Sequence, residues 1–211
     1  MKQAIAATIS RMPRRLARSA RAFGSSTVGA CTPVLSPRDP RRPGPRPRAT
    51  DDQETPVTNP ERRLAELGIE LPPASRPVGT YVPAVQVGNL LFLSGLGPRR
   101  PDGTFIAGKL GADLDVDRGR EAARLVGLNM LANIRAHLGT LDRVERVVKT
   151  LGMVNAAPGF EQHPRVIDGF ADLFVEVFGP ERGRGARSAV GMASLPMQIA
   201  VEVETIVQVK D

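Results

Sequence analysis

From Thr80 onward the hydrophobic pattern switches period repeatedly, and the order of those switches constrains the fold more than any other feature of the chain. The run TYVPAVQVGNLLFLSGL alternates about Gly88-Asn89. Alternation around a two-residue, Gly-containing centre reads as a β-hairpin. The PDG at 101–103 is a second turn signal, followed by a short extended piece. The period then becomes helical: Ala123, Val126, Met130, Ile134 and Leu138 recur three or four apart. This predicts a long helix capped by Asp115 or Asp117 and ended at Gly139. His137 borders the apolar stripe and reads as a buried or half-buried structural histidine. VERVVKTLGMVN at 144–155 predicts a strand. Residues 164–178 predict a second helix with Val166, Ile167, Phe170, Phe174 and Val177 on one core-facing side, stopped by Gly179-Pro180. Two strands, 186–193 and 199–209, close the chain, joined by SLPMQ, in which Pro196 breaks the ladder. In the last strand Ile199, Val201 and Val203 face one way, and Ala200, Glu202, Glu204 and Ile206 the other.

Hairpin, helix, strand, helix, hairpin is the order of an α+β domain with one mixed sheet and two long helices packed on one face. A single helical layer leaves the other sheet face either wet or covered by another subunit, so an oligomer is expected.

Upstream of this domain the pattern is different. Residues 1–59 read as a tail, because the Pro- and Arg-rich stretch at 37–52 sustains neither a helix nor a ladder. The first 22 residues are Arg-rich and free of acids, the composition of an organelle-import presequence, without the apolar run of a secretory signal. The alternative is a disordered extension, or an upstream stretch included by a wrong start codon. A cytoplasmic protein is expected, or an organelle-imported one if the presequence is real. A short helix is expected from Pro60 to about Leu67, capped by Asn59 and ended at Gly68. Pro72, Pro73 and Pro77 then force an extended linker. The domain is therefore placed at 60–211.

Charge follows the same division. The chain carries +7, but its first 50 residues hold one Lys and ten Arg against Asp39, so the remaining 161 carry −3. The basic balance belongs to the tail, and no nucleic-acid binding is expected of the folded part. No run approaches the roughly 18 apolar residues that span a bilayer. The single cysteine, Cys31, lies in the tail, so no intrachain disulfide or Cys-based metal site exists; His137 and His163 lack a second ligand at metal-site spacing.

The chain has no Walker loop, dinucleotide fingerprint, zinc pair or Gly-x-Ser-x-Gly elbow. Three polar features remain. Arg187 opens a strand after a flexible GRGA approach. Its guanidinium fork matches the two oxygens of a carboxylate; from spacing alone it reads rather as a solvated strand-end arginine beside Arg182 and Arg184. Glu202 and Glu204 interrupt an apolar strand, as a general base or as an acidic edge that discourages aggregation. Tyr81, the only tyrosine, begins the first strand region and either orients a ligand or sits at a subunit rim.

Three blocks of these residues together resemble the Rid/YjgF family, the reactive intermediate deaminases historically labelled endoribonuclease L-PSP. They are Tyr81-Val82-Pro83 with Val87-Gly88-Asn89-Leu90-Leu91-Phe92-Leu93-Ser94-Gly95; Asn129-Met130-Leu131-Ala132-Asn133-Ile134 with Leu138-Gly139 and Asp142-Arg143-Val144; and Ala186-Arg187-Ser188-Ala189-Val190 with Leu195-Pro196 and Val201-Glu202-Val203-Glu204. The resemblance covers about residues 76–210. It implies a chorismate-mutase-like α+β fold with one mixed six-stranded sheet, and a homotrimer with clefts between subunits. It further implies hydrolysis of enamine or imine intermediates to 2-oxo acids and ammonia without a cofactor or metal. On the matching positions, Arg187 would clamp a small carboxylate-bearing metabolite and Glu202 would position or activate water. Tyr81, Ser94 and Gly95 would line the cleft. The family's usual Cys two residues after the arginine is Ala189 here, which excludes thiol chemistry at that position. The usual SGQ is Ser94-Gly95-Leu96. The alternative is a non-catalytic, small-molecule-binding or stress-protective trimer of the same fold.

Overall fold

The computed structural model describes residues 59–77 and 79–210. The tail, Cys31 and the presequence-like segment lie outside the described residues. Helix α1 (Pro60–Glu66) starts where expected: the Asn59 side chain accepts from the Arg62 amide, Pro60 occupies the first turn, and Gly68 follows at φ +63°. It is latched to the domain by Glu61, which takes both a two-point contact from Arg135 and the Leu141 amide.

The hairpin is β1 (Ala84–Val87) and β2 (Leu90–Leu96), turning at Gly88 with φ +58°. Helix α2 (Val116–Leu138) is capped by Asp115, whose side chain accepts from the Arg118 amide, and ends on left-handed Gly139. Strand β3 (Val144–Asn155), helix α3 (His163–Phe178), the one-turn helix α4 (Pro180–Gly183), β4 (Ala186–Met192) and β5 (Val201–Val209) complete the domain.

The strands form one mixed sheet in the order β1-β2-β5-β3-β4, antiparallel except for the parallel β3–β4 pair. Among the described residues it has five strands rather than six. The extended piece after Gly103 makes only isolated bridges, Arg99 to Phe105 and Ala107 to Ile199. The intervening turns at 101–103 and 108–114 leave it too short to sustain a ladder.

Helices α2 and α3 cover one face. Val201, Val203, Val207 and Val209 of β5 are buried beneath them with Val147 and Val154 of β3. All five apolar residues of the expected α2 stripe and all five of the α3 stripe are in the core. Phe170 stacks on Phe174 at 4.3 Å between centroids, and Phe174 tilts against Phe178 at 5.6 Å. Fully burying one such side chain stabilises by about 1.5–3 kcal/mol. The helices come close at Gly169, where a Cβ would stand 2.1 Å from the Arg120 carbonyl oxygen.

Two expectations change. His137 is exposed, because the α2 stripe rotates past it by the last turn. Ala200 is fully buried and not on the open face, because strand alternation begins only at Val201, after the turn at Pro196–Gln198.

The uncovered face carries Val85, Val87 and Phe92, aligned by the β1–β2 register, and Val190 opposite Met153. All four are at least 40 % exposed; Val85, Val87 and Phe92 cluster at the β1–β2 edge, and Val190 stands apart on the β4 edge. No helix among the described residues is long and apolar enough to cross a membrane.

Candidate functional site

Strand β4 is the sheet edge, and its register sets Arg187 beside Thr150, a β3 position that points under the helices. The side chain of Arg187 therefore reaches α3. Its Nη1 donates to Asp168 Oδ1 at 2.7 Å, with 27 % and 37 % of the two side chains exposed. Asp168 Oδ2 lies 3.8 Å from Arg120 Nη1, and Arg120 Nη2 donates to Asp172 at 2.8 Å. The four charges alternate in sign along α2, α3 and β4. Among the described residues, Nε and Nη2 of Arg187 have no protein partner, so the side edge of the fork remains open.

Arg187, Asp168, Thr150, Phe170, Phe174 and Arg184 line a cavity of about 300 Å³, at the lower end of the range for small-molecule sites. Thr150 has a defined polarity there. Thr205 Oγ1 donates to the Lys149 carbonyl at 2.7 Å and lies 3.1 Å from Thr150 Oγ1. A hydroxyl has one proton, so Thr150 must donate to Thr205 and keeps only acceptor capacity.

The second group lies on the open face. Between Leu93 and Leu96, β2 advances one residue more than β5 does, a bulge at Ser94-Gly95. The bulge sets Gly95 against Glu202, so closely that a Cβ on Gly95 would stand 2.1 Å from Glu202 Oε1. Ser94 donates its hydroxyl to the Val82 carbonyl at 2.7 Å and its amide to the Pro83 carbonyl at 3.0 Å. These bonds hold the segment that carries the exposed Tyr81.

Glu202 is half-buried and has no hydrogen-bond or ion-pair partner among the described residues. Burial, and secondarily the neighbouring Glu204 carboxylate, push its carboxyl above the usual glutamate range. Such a group favours folding while it holds its proton. Its contribution is complete below the unfolded pKa of about 4.3 and is lost as pH rises through the folded value. Glu202→Gln is accordingly expected to raise Tm at pH 7 and to leave it unchanged near pH 4. Equal wild-type and variant melting curves at pH 7, followed by fluorimetry, would contradict this.

The chain thus brings Ser94, Gly95 and Glu202 together, with Tyr81 on the tethered segment, and sets Arg187 apart. Strands β4 and β5 flank β3, about 10 Å between their axes. Arg187 points to the helical side and Glu202 to the open side. Asp168 and Thr150, absent from the sequence-level candidates, complete the arginine's surroundings. Asp172, four residues after Asp168, marks a polar flank on α3, but nothing local reveals that β4 lies beside it.

Residues 61–207 match the family described as "YjgF/chorismate_mutase-like, putative endoribonuclease". The chain belongs to the Rid/YjgF family. Among its relatives is Protein TCP17 of Trypanosoma cruzi, 45% identical over 148 residues, covering 70% of this chain and 92% of that one. The 2-iminobutanoate/2-iminopropanoate deaminase of Dermatophagoides farinae is 31% identical over 143 residues, covering 67% and 95%. A crystal structure of a protein of unknown function from Agrobacterium tumefaciens is 41% identical with a TM-score of 0.65, covering 72% of this chain and 92% of that one. The α+β fold read from the periodicity is the Rid/YjgF fold.

Proposed function

We propose that this Rid/YjgF protein hydrolyses small enamine or imine intermediates bearing a carboxylate, at a cleft completed by a second copy of the chain within a homotrimer. The observation that carries this reading is Arg187: an edge-strand guanidinium with one free edge, at the rim of a cavity of small-metabolite size. The similarity to the Dermatophagoides farinae protein named 2-iminobutanoate/2-iminopropanoate deaminase supports the same chemistry.

The two-sided geometry supports an inter-subunit site. Arg187 and Glu202 of one chain point away from each other, whereas an arginine at one copy's edge and the Ser94–Gly95–Glu202 surface of the next can face a common cleft. In the reaction, water adds to the electrophilic imine carbon while Glu202, ionised for this step, takes one water proton. The C=N π pair moves to nitrogen, which takes that proton from Glu202. The hydroxyl of the addition product then passes its proton through Glu202 to the nitrogen, the C–N bond breaks as the C=O bond forms, and ammonia leaves a 2-oxo acid. Positioning and a modest base suffice for an already activated carbon, so no cofactor enters the scheme.

The test is ammonia release from an imine generated freshly by an amino-acid oxidase. Wild-type protein is expected to accelerate release several-fold; no acceleration on any such imine would defeat the reading. Stabilisation by 2-oxo acids without turnover would leave the binding-only alternative standing.

The exposed cluster of Val85, Val87 and Phe92 is the surface that assembly would cover. Phe92→Glu is expected to shift sedimentation from trimer to monomer and to remove activity with it. A variant that still sediments as the wild type does would exclude this face from the interface.

A further inference from the structure

We propose that Arg187 and Asp168 act as a paired receptor for a zwitterion: the arginine takes the ligand's carboxylate, and Asp168, helped by Thr150, takes the protonated nitrogen of an α-imino or α-amino acid. This rests on the reading of Arg187 as a carboxylate clamp and adds to it which carboxylates the clamp accepts.

The guanidinium and the Asp168 carboxylate stand side by side, joined by one hydrogen bond of 2.7 Å, both partly open and both lining the same cavity. Asp168 uses Oδ1 for this bond, and Oδ2 is only loosely engaged by Arg120 at 3.8 Å. A bare carboxylate entering on the free Nε/Nη2 edge would share one guanidinium with Asp168, and like charges that close disfavour each other. An α-amino or α-iminium acid removes the conflict. Its cationic nitrogen is two bonds from its carboxylate carbon, so it lies head-to-tail against the Arg187–Asp168 pair. Thr150 extends the match, since its hydroxyl proton is committed to Thr205 and only its lone pairs remain for an N–H.

The consequence for the proposed reaction is directional. The iminium substrate satisfies both charges. The 2-oxo acid product has lost the N–H donor, keeps the carboxylate and leaves Asp168 facing it. The site then favours substrate over product, and release is assisted by the residue that helped to bind.

The experiment compares alanine, each enantiomer separately, with propanoate, the same carbon skeleton without nitrogen, by calorimetric titration of the full-length protein. Wild type is expected to bind one or both alanine enantiomers at least tenfold more tightly than propanoate. Asp168→Asn keeps shape and hydrogen bonding but removes the charge; it is expected to weaken alanine, strengthen propanoate and erase the preference. Asp168→Glu is expected to restore part of it, a rescue that a purely structural role would not produce. Equal wild-type affinities, or an unchanged ratio in Asp168→Asn, would overturn the zwitterion assignment while leaving the clamp intact. Binding of neither ligand, or binding unaltered in Arg187→Ala, would overturn the clamp and the assignment with it.

Discussion

Replacing Arg187 by alanine is expected to lower kcat/KM for imine hydrolysis by roughly 100-fold, the scale of about 1.5–3 kcal/mol lost with a charge-assisted contact to a bound carboxylate. The size follows from the side chain's situation. It is held by Asp168 at 2.7 Å, is partly open to solvent, and offers its free edge to the cavity. Arg187→Lys keeps the charge but loses the two-point fork and should recover only part of the loss. If the arginine only holds the ligand, KM rises and kcat is preserved; if it also sets the carbon before the attacking water, both change. Steady-state ammonia release distinguishes the two. A variant with wild-type kcat/KM would remove Arg187 from the site.

The second large effect is on stability. Gly169→Ala is expected to destabilise the domain by about 3 kcal/mol, the upper part of the usual cost of overpacking, and to lower Tm by on the order of 10 °C. The added Cβ would meet the Arg120 carbonyl oxygen at 2.1 Å and its carbon at 2.8 Å. These are backbone atoms of α2, so no side-chain rotation relieves the contact and the helices must separate. Gly68 is a useful contrast: nothing stands within 4 Å of its would-be Cβ, and only its φ of +63° resists substitution, at about 1 kcal/mol. Urea denaturation measures both. The Gly169 variant has a functional reading too, because Asp168 is the preceding residue: moving α3 outward moves Asp168 from Arg187. A Gly169→Ala protein as stable as wild type would show that α2 and α3 are not closely held there.

Much of this was legible locally. The α2 and α3 stripes, the Asn59 and Asp115 caps, the Gly88 turn and the Val144–Asn155 strand follow from periodicity, capping and turn chemistry, and each depends on neighbours a few residues apart. Local pattern erred where a few residues decided the outcome. His137 sits on the stripe's margin, where a small rotation moves a residue from buried to exposed. The extended piece after Gly103 satisfied strand composition but found too little partner backbone to become a sixth strand.

For the site, residue type singled out Arg187, Glu202 and Tyr81, and the arginine's fork suggested a carboxylate; Ser94 and Gly95 came only from the family resemblance. Their grouping was not readable. Ser94 and Gly95 meet Glu202 through a one-residue bulge against a strand more than 100 positions away in the chain, and a bulge in one strand is defined only by the register of its partner. Asp168 escaped notice because an acid on the flank of an amphipathic helix is ordinary until a parallel edge strand is laid beside it.

The sequence by itself determined the elements, their order and the chemistry available at each position, since these depend on short-range sterics, capping and hydrophobic period. Only the tertiary structure decided that Arg187 and Glu202 lie on opposite faces of one sheet, that Asp168 shares the arginine, and which apolar residues stand on the uncovered sheet face. Those outcomes depend on strand pairing and helix placement across long separations, where many sequences of similar pattern would pair differently.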